Sequence, residues 1–269
     1  MAMILKGPYT PTPAEDRMEN AGNLKRAREY YYSKRPTNLC YLIRQRFLWM
    51  NEYCNDKGSV IELGSGAAFS KDFIANPSFK TTDYEKHPWI DEQVDALKTP
   101  FQDESIDVVI ASHMIHHLAT PALFFREIQR ILKPGGFLLI QDIESGLLTR
   151  LLLRIMRHEG WNFNAAVFEE NATCNDPRDP WSANCAIPHL LFSDPKAFEN
   201  QFPAFRILKN ELCECFIFAL SGGVIAKTRT INLPEGVLDF LNRLDNLLIR
   251  LCPAVFAMGR RVAIQKIPQ

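Results

Sequence analysis

The stretch Val60-Ile61-Glu62-Leu63-Gly64-Ser65-Gly66-Ala67-Ala68-Phe69-Ser70 constrains this chain more than any other. A short, mostly apolar run reads as a buried strand, followed by a turn with two glycines and then a string able to continue as a helix. Glycine at 64 and 66 removes side chains where the backbone must turn sharply and where a ligand can approach it. A helix after the turn aims free N–H groups into the same crevice. A nucleotide-like ligand suits such a place.

The residues that are absent narrow the choice. A pyrophosphate-binding G-x-G-x-x-G needs glycine at 69, and the chain has Phe69 there. No G-x-x-x-x-G-K-[ST] occurs for a triphosphate. The turn therefore suits an adenosine ligand without a phosphate chain. Asp83 stands nineteen positions past Gly64, at the end of Phe79-Lys80-Thr81-Thr82, a predicted second strand. Its carboxylate can accept both hydrogen bonds of a ribose diol.

Further along come Asp95-Ala96-Leu97-Lys98-Thr99-Pro100-Phe101, then Ile106-Asp107-Val108-Val109-Ile110-Ala111, His116-His117-Leu118, and Arg130-Ile131-Leu132-Lys133-Pro134-Gly135-Gly136 before Phe137-Leu138-Leu139-Ile140. In this order the residues resemble the class I S-adenosylmethionine-dependent methyltransferases, particularly the small-molecule subgroup that includes quinone-biosynthesis enzymes. The resemblance covers about residues 58 to 142. It implies a Rossmann-like, doubly wound, mostly parallel seven-stranded sheet with an antiparallel last strand, and S-adenosyl-L-methionine as cofactor. It also implies that Asp95 accepts from the adenine amino group, that the Ala96 main chain contacts the ring, and that residues after Ala111 pass below the sulfonium. Two departures stand out. Ala68 occupies the place of the family's usual third glycine, and only eleven residues separate Asp83 from Asp95, Pro88 among them. The helix between strands two and three is then shortened or absent, leaving Tyr84, His87 and Trp89 as an irregular wall beside the adenosine.

With 269 residues the chain supports one large α/β domain carrying insertions. Thirty-one basic and thirty-one acidic side chains balance, so no global attraction for nucleic acid exists. Met1 to Pro13 does not read as a secretory signal, and nowhere do eighteen apolar residues run together, so a cytoplasmic protein without a spanning helix is expected. Seven irregularly spaced cysteines read as free thiols. Cys174, Cys185 and His189 lack paired C-x-x-C spacing, and no metal is expected.

Taken in order, residues 1–57 read as an N-terminal helical cap: a loose arm over 1–22, then helices over 23–32 and 38–53 separated by Pro36. By resemblance, Tyr30, Tyr31 and Tyr32 are candidates to close over the cofactor, Tyr31 foremost. Residues 58–143 form the cofactor-binding core, with strands near 59–63, 80–83, 92–95, 106–111 and 137–142 and helices near 68–75 and 121–132. Ligands in such sheets sit beyond the strands' carboxyl ends. Cofactor contacts are therefore expected from Glu62, Gly64, Ser65, Gly66, Asp83, Tyr84, Asp95, Ala96, Ser112 and His113. His113 is also the first candidate base, its imidazole able to take a proton from a hydroxyl or amine; His116 and His117 read as structural.

Residues 144–192 form an insertion. Its first part is a basic amphipathic helix over 145–157, with Arg150, Arg154 and Arg157 along it, and two readings stand: a cap over the crevice, or contact with an anionic membrane surface. Glu144, His158 and Glu159 are further candidate bases, and the aromatics Trp161, Phe163, Phe168, Trp181 and Phe192 suit an acceptor pocket or a satellite core. Residues 193–269 return to the core with a helix over 193–202, an edge strand over 205–211, a second helical insertion over 234–251 and a final strand over 261–267. Methyl transfer to a small hydrophobic or carrier-linked acceptor is the function expected. A non-catalytic protein binding a cofactor or partner on the same fold is the alternative, and the oligomeric state is not legible.

Overall fold

The computed structural model describes residues 7–12, 23–225 and 228–268. Most of the arm expected over 1–22 lies outside them. Helix α1 (Leu24–Lys34) starts where the Asn23 side chain accepts from the Arg26 N–H. It ends at Arg35, in the left-handed region just before Pro36. Helix α2 (Thr37–Phe47) follows, and a 3-10 turn over Leu48–Met50 leads into a short α3 (Asn51–Cys54).

The sheet comprises β1 (Val60–Leu63), β2 (Phe79–Asp83), β3 (Glu92–Gln93), β4 (Ile106–Ser112), β5 (Leu132–Ile143), β6 (Phe205–Cys213) and β7 (Gly259–Lys266). Their order is β3-β2-β1-β4-β5-β7-β6. The first five run parallel, and β7 is antiparallel to both β5 and β6. Alternate residues of each strand face opposite sides. Ile61, Leu63, Val109, Ala111, Leu138 and Ile140 join one core with helix α4 (Pro121–Ile131). Val60, Val108, Ile110 and Leu139 join the other, beneath α1 to α3.

Two local expectations fail for identifiable reasons. The helix expected over 68–75 is a single 3-10 turn, Phe69–Asp72, because Ala68 enters it with φ of +53° rather than a helical angle. The third strand stops at Gln93, since the Asp95 carboxylate accepts from the Leu97 N–H and turns the chain there. Between β2 and β3 residues 84–91 run without a helix.

In the insertion, helix α5 (Leu147–Met156) precedes a largely irregular stretch and helix α6 (Ile187–Phe192). Helix α7 (Pro195–Gln201) is capped by Asp194, whose carboxylate accepts from the N–H groups of Lys196 and Ala197. Phe198 and Phe202 of this region pack with Phe125 and Phe192 in the first core. After β6 come α8 (Phe216–Ser221), α9 (Glu235–Leu251) and a short α10 (Pro253–Phe256). Leu147 and Leu153 of α5 pack with Trp161, Cys185 and Ala186, while Leu148 and Leu152 pack with Ile249, Phe256 and Met258. The apolar residues of α5 thus join the two insertions to each other. Among the described residues no helix is long and apolar enough to cross a membrane.

Candidate functional site

The chain passes from β3 back across β1 to β4, so the carboxyl ends of β1 and β4 open a crevice between them. Gly64, at the end of β1, has φ of +69°, and a Cβ there would stand 2.4 Å from Met114 Cγ. Glycine is required at 64 by the approach of Met114 as much as by the turn. Gly66 has φ of +52°. Its N–H donates to Asp83 Oδ2 at 2.7 Å, while Asp83 Oδ1 accepts from the Glu85 N–H at 3.0 Å. Ser65 N–H donates to the Thr82 carbonyl at 2.9 Å. The ends of β1 and β2 are thereby fixed to each other.

Side chains cap the turn from outside. Trp89 Nε1 donates to the Gly66 carbonyl at 2.8 Å, and Arg28 Nη1 to that of Ala67 at 2.5 Å. The Arg28 guanidinium lies over the rings of Tyr32 and Trp89, and His87 stacks flat on Trp89. Neither the role of Arg28 nor the hydrogen bond from Trp89 is legible in any sequence spacing. Tyr31 does not reach the crevice: it is fully buried against Phe69, and its hydroxyl donates to Asp72, as does that of Tyr32. Burial, with Asp72 adding to it, keeps both phenols above their ordinary pKa. Tyr31 holds α1 to the turn.

Glu62 is buried under the turn, where one oxygen accepts from the Ser70 hydroxyl. Burial raises its pKa to about 7. Asp95 is exposed, Ala96 packs at the edge of the first core, and Tyr84 is exposed with its carbonyl held by Gln93.

Past β4, Ser112 is half-buried and His113 follows with φ of +51°. The His113 N–H donates to the Gln141 carbonyl at 2.7 Å, and its buried Nε2 has no hydrogen-bond partner. Burial and the nearby Arg46 push its pKa down to about 3. Such an imidazole stays neutral at pH 7 and is a weak base, and its unpartnered Nε2 suits it to a hydrogen bond.

Glu144 is engaged by two basic side chains. One oxygen lies 2.5 Å from His189 Nδ1 and the other accepts from Arg260 Nε at 2.7 Å. These partners outweigh its burial and hold its pKa low. Arg260 in turn donates to the Phe192 carbonyl and to Asn210, so the group ties the insertion to β6 and β7. His158, just past the end of α5, has its Nε2 3.7 Å from Glu159.

A charged cluster surrounds His116, a residue expected to be structural, and includes Asp142 and Glu159. The His116 Nδ1 is 2.5 Å from Asp142 Oδ1, and its Nε2 is 3.9 Å from Glu159 Oε1. Burial opposes a charge on this ring, but the two carboxylates prevail and lift its pKa to about 10. Asp142 also accepts from the N–H groups of Ile115 and Ile143. Glu159 accepts from the Cys185 thiol at 3.2 Å, and His117 meets the Ser182 carbonyl at 3.2 Å. These partners lie 26 to 65 positions apart, and no motif links them. Cys174, Cys185 and His189 each have separate surroundings: Cys174 at the edge of the first core, Cys185 on Glu159, His189 on Glu144.

Residues 65–140, from the glycine turn to β5, match the family described as "Methyltransferase domain". This segment is similar to that family. The solved structure of a SAM dependent methyltransferase from Archaeoglobus fulgidus superimposes with a TM-score of 0.53, covering 88% of this chain and 98% of that one at 16% identity. The sheet has that Rossmann-like form, with its antiparallel final strand. Similar sequences include Uncharacterized protein YafE of Escherichia coli (strain K12), 44% identical over 50 residues, which are 19% of this chain and 24% of that protein. Another is the hybrid PKS-NRPS synthetase iliA of Neonectria sp. (strain DH2), 30% identical over 90 residues, 34% of this chain and 2% of that protein. This chain spans a quarter or less of these curated relatives.

The donor set at the turn suits an adenosine ligand such as S-adenosylmethionine. An ionised carboxylate offers about four acceptor positions. The Asp83 carboxylate accepts two main-chain N–H groups, which leaves capacity for a ribose diol.

Proposed function

We propose that this protein transfers a methyl group from S-adenosylmethionine to a small, hydrophobic or carrier-linked acceptor. The observation that carries this reading is Asp83, half-buried at the end of β2 and bonded to the glycine turn of a segment similar to methyltransferase domains. When bound, the cofactor supplies an already activated methyl electrophile, so holding the acceptor in line contributes most of the rate. Asp83 binds the ribose diol. Gly64, Ser65 and Gly66 shape the turn around the ligand, and Glu62 keeps a proton-sensitive carboxyl beneath it. Asp95, Ala96 and Tyr84 are assigned to the adenosine side by resemblance, Ser112 to the floor below the methyl group.

On the acceptor side, the neutral Nε2 of His113 orients the nucleophile by a hydrogen bond. The insertion over 144–192 is the cover that excludes water, tied down through Glu144 and through Glu159 beside His116. An apolar acceptor fits the resemblance to quinone-biosynthesis enzymes. Seven free thiols support a reducing, cytoplasmic setting.

Calorimetry with S-adenosylmethionine and S-adenosylhomocysteine tests the reading. Binding by the purified chain is expected to weaken at least tenfold in Asp83→Ala, which leaves the diol and the Gly66 N–H without their acceptor. A folded chain that binds neither ligand would instead favour a scaffold for partners.

A further inference from the structure

Helix α9 has two apolar faces. Leu238, Asp245 and Ile249 are buried against the rest of the chain. Val237, Phe240, Leu244, Leu247 and Leu251 recur at spacings of three and four, which align them along a second side. That side faces outward: Val237 is 42% exposed, Phe240 63%, Leu247 54% and Leu251 72%. A stripe of this kind normally faces a partner. Arg243 and Arg250, both exposed, run along one edge of it and form no ion pair among the described residues. The acidic residues of the helix point elsewhere, Glu235 pairing with Arg44 and Asp239 accepting from the Tyr41 hydroxyl.

We propose that this outer face of α9 docks on an anionic lipid surface. The apolar stripe enters the headgroup–acyl boundary while Arg243 and Arg250 pair with lipid phosphates at its edge. The charge pattern selects this occupant over a second copy of the chain. Antiparallel packing of two α9 helices would set the arginine edge of each against that of the other, an uncompensated repulsion. In parallel packing the opposite edge, Leu241 and Leu248, is half-buried against the chain's own core and unable to receive the arginines. The lipid face is also distinct from the one expected on α5, whose leucines are occupied by protein contacts. Short α10 packs against both helices, and Ile155 of α5 is exposed as well, so the docked area can extend toward α5.

The test is co-sedimentation of the full chain with phosphatidylglycerol vesicles at low salt. Pelleting is expected there, and little with phosphatidylcholine vesicles. Each arginine near an anionic surface contributes roughly fivefold to partitioning, so Arg243→Gln with Arg250→Gln should weaken binding by roughly twenty-five-fold. Phe240→Asp with Leu247→Asp should abolish it. These side chains are exposed, so the variants are expected to keep wild-type circular dichroism and melting; any that does not is replaced by Leu251→Asp alone. A folded wild type that stays in the supernatant overturns the proposal. So does pelleting unchanged by the α9 variants, or a dimer in sedimentation velocity that Phe240→Asp dissolves. The vesicle assay needs no cofactor, so its outcome is independent of whether S-adenosylmethionine binds.

Discussion

Ala68 and Glu62 show how single positions in the turn bear load of different kinds. Ala68 is buried with φ of +53°, where a Cβ crowds the backbone. Ala68→Gly should raise the unfolding free energy by about 1 kcal/mol, measured by urea denaturation, because relief of strain outweighs the added freedom of the unfolded chain. Glu62 responds to pH. Its folded pKa of about 7 lies above its ordinary 4.5, so between these values the unfolded chain loses its proton first. The stability associated with this group is fully present below pH 4.5, falls as pH rises toward 7, and is level above. The loss amounts to about 3 kcal/mol at most, and Glu62→Gln should remove that part of the slope in urea melts of the cofactor-free protein from pH 4 to 8. The glycines and Asp83 were legible because each answers a local backbone or ligand demand. The charge states of His113 and His116 were not, since they depend on Arg46, Asp142 and Glu159 brought in from distant positions.

At the scale of elements, α8 begins without a capping residue of its own. Three consecutive N–H groups, of Cys215, Phe216 and Ile217, donate instead to the buried carboxylate of Asp245 on α9. Burial raises the pKa of this group against the pull of those hydrogen bonds. Asp245→Ala would leave the three donors unmatched, and a loss of about 2–4 kcal/mol in chemical denaturation is expected. Such a long-range cap explains why α8 was not read from the sequence: its starting signal lies on another helix. At the turn after β1 the cause is local: the string after it is able to be helical, and the angle at Ala68 allows one 3-10 turn. Elements with their own signals, including α4 with Pro121 in its first turn and α7 with Asp194, were read within a few residues.

Across the whole molecule, alternation of strand and helix pointed to the parallel part of the sheet, and the antiparallel last strand was expected from the family resemblance alone. What joins the chain's distant parts was invisible. Arg46 of α2 forms a buried bidentate pair with Glu214 after β6, 168 positions away, and Gln141 of β5 donates to the same carboxylate. The placement of β7 between β5 and β6 has a consequence for the order of synthesis. When β6 leaves the ribosome, the strand it must pair with does not yet exist, and β5 still presents an open edge. The nascent chain must carry an unmated β6 and the open edge of β5 until residues 259–266 arrive to fill the gap between them. Closure of the sheet is then a late event made of contacts distant in sequence, which sets a slow final step and a window in which a chaperone has most to protect.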